Sequence, residues 1–72
     1  MKYEFHGREI TRDEARQYVD NIPKTPYLPR EVQTFIYLEE HAKVMMRVYG
    51  NFSYKDPNSG LVLIAQGGEV NG

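Results

Sequence analysis

The sequence predicts a small single-domain α+β protein: two β-hairpins forming one antiparallel sheet, and two helices, joined by a Pro-rich connector, on one face of it. Three observations carry this expectation. Thr11-Arg12-Asp13-Glu14 is a capping box, which starts a helix. Pro23, Pro26 and Pro29 interrupt the chain before a second stretch of helical spacing. Each end of the chain carries a strand-like segment with its own turn signal, His6-Gly7 near the start and Asp56-Pro57-Asn58-Ser59-Gly60 near the finish.

In residues 2–10, Tyr3 and Phe5 alternate with charged neighbours around His6-Gly7, where glycine accepts the positive φ of a primed turn. A two-residue turn sets Glu4 opposite Glu9, an unfavourable pair, so a longer turn or a bulge stays open as the alternative. The capping box predicts a helix over 12–20 with Ala15, Tyr18 and Val19 on one face. The three-residue proline spacing matches polyproline II and predicts a stiff connector that clamps Tyr27 and Leu28 over the core; a docking peptide for an aromatic groove is the rival use.

Pro29 suits the first turn of the second helix, and Val32, Phe35, Ile36, Ala42, Met45, Met46 and Tyr49 continue it to Gly50. Ala42, Val44, Met46 and Val48 also alternate as a strand would, so residues 42–50 admit both readings. Met and Ala as helix formers, with Gly50 at the expected stop, favour the longer helix. Phe52-Ser53-Tyr54 and Leu61-Val62-Leu63-Ile64-Ala65 then form the second hairpin. The domain is expected over 1–66, with 67–72 as a flexible C-terminal tail.

A chain of 72 residues buries a marginal core, and without cysteine it has neither a disulfide nor a thiolate metal site to brace it. Nine basic and ten acidic side chains, dispersed along the chain, show no basic patch, so nucleic acid is an unlikely partner. No apolar run is long enough to span a bilayer and the first residues have no signal-peptide core, so a cytoplasmic protein without membrane contact is expected.

The search for chemistry finds no motif. His6 and His41 lack the further convergent groups a zinc site needs, and the glycines fit no phosphate loop. Asp13-Glu14 suit the positive end of the first helix, and Glu39-Glu40 a solvated face with Glu39 pairing to Lys43. No catalytic residue, cofactor or metal is therefore expected.

Six tyrosines and three phenylalanines exceed what so small a core needs, and tyrosine suits protein interfaces. Tyr27, Tyr37 and Tyr54 are the candidates for a contact surface. Five consecutive apolar residues from Leu61 ask for cover on both faces of a strand, so Leu61, Val62, Leu63 and Ile64 join them as a homodimer interface or a docking site. The expected function is a non-enzymatic protein-binding regulator or inhibitor with an unknown protein partner, of the accessory type common in phages and mobile elements. The alternative is a nucleic-acid-binding accessory protein, ahead of a small ribonuclease-type toxin.

Overall fold

The computed structural model describes residues 1–66. Two strands, β1 (Lys2–Phe5) and β2 (Arg8–Ile10), lead into helix α1 (Arg12–Asp20). A 3-10 turn at Arg30–Gln33 precedes helix α2 (Phe35–Tyr49), and strands β3 (Asn51–Lys55) and β4 (Leu61–Gln66) complete the fold. The four strands form one sheet in the order β2-β1-β4-β3, and every neighbouring pair is antiparallel. The α+β architecture is therefore as expected. The tail over 67–72 lies outside the described residues.

Local chemistry sets each boundary. His6 and Gly7 adopt φ of 53° and 78°, giving the two-residue hairpin turn. Glu4 does sit opposite Glu9, and no bulge relieves the pair. Both halves of the capping box form: Thr11 Oγ1 accepts from the Glu14 amide, and Glu14 Oε1 accepts from the Thr11 amide, each at 3.2 Å. Helix α2 begins later than Pro29 implies. Thr34 caps it by accepting from the Tyr37 amide at 3.2 Å, and the Asp20 carboxylate at the end of α1 accepts from the Phe35 amide at 3.1 Å. Gly50, at φ 86°, ends it, so the longer helix holds and residues 42–49 are not a strand.

The second hairpin closes on a G1 bulge. The Gly60 amide donates to the Asp56 carbonyl and the Asp56 amide to the Leu61 carbonyl, both at 2.8 Å, with Gly60 at φ 81°. The Asp56 carboxylate accepts from the Ser59 amide and hydroxyl, which stiffens the turn.

Both helices pack on one face of the sheet. Val19, Phe35, Leu61 and Leu63 are the largest side chains wholly enclosed there. This placement corrects one expectation. Leu61, Leu63 and Ala65 are 0 % exposed inside the chain's own core, so they cannot present a homodimer or docking surface. On the other face, Val62 and Ile64 are half-buried. Register sets Val62 between Glu4 and Lys55, and Ile64 between Lys2 and Ser53. Glu4, Lys55 and Lys2 among these neighbours have long side chains whose apolar stems can cover such positions. Strand β4 is also interior, flanked by β1 and β3, so it offers no edge.

Candidate functional site

The most heavily bonded polar cluster joins three elements. Glu39, on α2, is buried and accepts from Arg12 Nε at 2.8 Å and Arg12 Nη2 at 3.0 Å, a bidentate pair. The Tyr3 hydroxyl of β1 donates to the same carboxylate. Glu39 is thus not on a solvated face, and its 3.9 Å contact with Lys43 is secondary. The Arg12 bonds hold the Glu39 carboxyl below its ordinary range against the opposing effect of burial. Burial, reinforced by Glu39, raises the Tyr3 phenol. Arg12 lies over the Phe35 ring, 5.4 Å from its centroid. Within the cluster each polar side chain is engaged by another, which makes it a tie between β1, α1 and α2.

The second feature lies on the same face, over the β3 edge of the sheet. His41 stacks on Tyr37 of the same helix, with centroids 6.2 Å apart and planes 4° from parallel. It meets Phe52 and Tyr54 of β3 edge-on at 5.8 and 6.1 Å. Tyr37 and Tyr54, singled out in the sequence, are therefore brought to one cluster. Burial, with Asp56 and Tyr37 adding to it, raises the Tyr54 phenol. Helical spacing carries the surface onward from Tyr37 through His41 to Val44 and Val48. Tyr37 is 43 % exposed, Val44 49 % and Val48 66 %. Tyr37, Glu40, His41 and Val44 line a shallow groove of about 260 Å³. Sequence reasoning missed this stripe because Val44 and Val48 enter it only as positions of the alternative strand.

The third feature is the connector. It is not a polyproline strut: the chain wraps around the buried side chain of Gln33. The Gln33 carbonyl oxygen accepts from the Thr25 amide at 2.8 Å, and its amide nitrogen donates toward the carbonyls of Thr25, Leu28 and Pro29 at 3.0–3.3 Å. Tyr27 and Leu28 are not clamped over the core. They project outward, Tyr27 at 91 % exposure and Leu28 at 51 %. The loop is fixed from inside while its two large side chains face solvent. No local pattern announces a glutamine as the anchor of a loop.

His6 occupies the first turn and packs on Phe5. Among the described residues, no group of three or more His, Cys, Asp or Glu side chains could hold a metal ion. No described helix is long and apolar enough to cross a membrane. Comparison with known proteins finds no match: no family model, curated protein or solved structure is significantly similar to this chain.

Proposed function

We propose that this chain is a non-enzymatic protein-binding regulator or inhibitor whose contact with its protein partner is made by Tyr27 and Leu28. One observation carries the reading: a loop anchored by four hydrogen bonds to a buried glutamine holds a tyrosine at 91 % exposure. A surface tyrosine on a pre-ordered backbone offers large contact area with little entropy left to lose on binding. The charge balance adds support for a protein rather than a nucleic-acid partner: nine basic side chains are offset by ten acidic ones, and Arg12, Arg16 and Lys43 are each engaged by a carboxylate. A cytoplasmic accessory role belongs to the same proposal, and a homodimer on a strand other than β4 is compatible with it.

Photo-crosslinking tests this reading. With a crosslinking side chain at position 27, in the cells that make the protein, one discrete heterologous adduct is expected. Gln33→Ala, which frees the loop but leaves the crosslinking side chain at position 27, should weaken the adduct strongly. The same crosslinker at position 9 should not give it. Equal labelling from positions 27 and 9, or an adduct indifferent to Gln33→Ala, would contradict the proposal.

A further inference from the structure

The sheet has two edges, and hydrogen-bond phase decides what each offers. Along an antiparallel ladder, residues bonded to the neighbouring strand alternate with residues whose N–H and C=O groups point away from it. The bulge sets the phase in β3. Asp56 bonds to Leu61, so Tyr54 and Phe52 bond to β4 opposite Leu63 and Ala65. Lys55 and Ser53 therefore turn their backbone groups outward. On β2 the two-residue turn makes Phe5–Arg8 a bonded pair, which leaves Glu9 as the one outward-directed residue.

We infer that β3 pairs antiparallel with β3 of a second copy of this chain about a twofold axis at Ser53. The two four-stranded sheets become one continuous sheet, and the two α2 helices lie side by side across the axis.

Three features fit this occupant. The first is register. A twofold at Ser53 sets Ser53 opposite the partner's Ser53, Phe52 opposite the partner's Tyr54 and Asn51 opposite the partner's Lys55. The outward-directed Ser53 then meets its own copy, rings meet rings on the helix-covered face, and no like charges oppose. The second is spacing. Helix α2 packs over β3 and β4. With strands about 4.8 Å apart, helices so placed lie about 10 Å from each other across the axis, an ordinary helix-packing distance. The third is the stripe on α2. His41 packs against Phe52 and Tyr54, the neighbours of Ser53, so antiparallel helices cross near it. Tyr37 then approaches the partner's Val44, and Glu40 the partner's His41, placing a carboxylate beside an imidazole. The apolar groove and the strand edge are covered by one operation. The same operation at β2 would set Glu9 against its own copy, a like-charge pair.

Sedimentation equilibrium across micromolar to millimolar concentration tests the inference on the full chain. The expected limiting mass is twice the 8.4 kDa of one chain. Ser53→Pro removes an N–H that β4 does not use, a position where an edge strand tolerates proline. It should raise the dissociation constant at least about tenfold. Val44→Lys, at an exposed helix position, should do the same and covers the case in which proline disturbs β3. Glu9→Lys should leave the mass unchanged. A monomer at every concentration would overturn the inference, as would a dimer that both Ser53→Pro and Val44→Lys leave intact. None of these outcomes bears on the adduct from position 27, so the two proposals stand or fall separately.

Discussion

Strands β2 and β3 are both edges of one sheet, yet they are finished in different ways. β2 has three residues, its exposed Arg8 and Glu9 carry charge, and Ile10 passes directly to the Thr11 cap of α1. The Tyr3–Glu39–Arg12 cluster ties the neighbouring strand to both helices on that side. β3 has five residues, Ser53 and Lys55 among them outward-directed, and it runs beside the half-exposed rings and valines of α2. Short charged edges discourage pairing; a longer edge flanked by apolar side chains invites it. The contrast teaches that protection here is local: one edge is made unreceptive, and the other retains the features of an interface.

Breaking the closed side should have the largest effect on the fold. Glu39→Ala leaves the buried Tyr3 hydroxyl without its acceptor, which alone costs about 1–3 kcal/mol. Urea denaturation should show that loss with β3 chemistry untouched. The same carboxylate gives a pH dependence. Its folded value is lowered from the ordinary 4.5, so its contribution is complete above that pH and is lost as pH falls toward the lowered value. In Glu39→Ala this part of the acid limb should flatten. Thr11→Ala, at the junction of β2 and α1, should cost about 1 kcal/mol through loss of the cap. A melt unchanged by it would mean that the β2 edge does not depend on that junction. Val48→Lys, on the open side, should change the stability of the isolated subunit by no more than about 0.5 kcal/mol. A much larger loss would show that the stripe belongs to the core.

Much of this contrast is legible in the residues, and the remainder fails for physical reasons. Thr11 and Glu14 act within one helical turn, and His6-Gly7 and Gly60 act within one hairpin, so their roles read directly from the chain. Glu39 does not, because its partners Arg12 and Tyr3 are 27 and 36 residues away, whereas Lys43 is the only partner that helical spacing reveals. Leu61 and Leu63 share an apolar run with Val62 and Ile64, and a run with no polar alternation does not state which face is inside. Register settles it: Leu63 stands in line with Tyr3 and Tyr54 on the helix side, Val62 with Glu4 and Lys55 on the other. Tyr37 and Tyr54 were legible as candidates, but their convergence on His41 needs the turn at Gly50 that folds β3 back along α2. Tyr27 was legible as a contact candidate, but the proline spacing placed it over the core, and the Gln33 anchor that turns it outward lies in no local pattern.

The difference between the two edges is tested most directly by amide hydrogen exchange, resolved by residue and followed against protein concentration. The Ser53 and Lys55 amides point away from β4, so in the separated subunit they exchange quickly. Pairing of β3 with its own copy predicts that their protection rises with concentration along the same curve as the mass, while the Glu9 amide on β2 stays unprotected throughout. Fast exchange at Ser53 at every concentration, or protection that rises at Glu9 instead, would contradict the account.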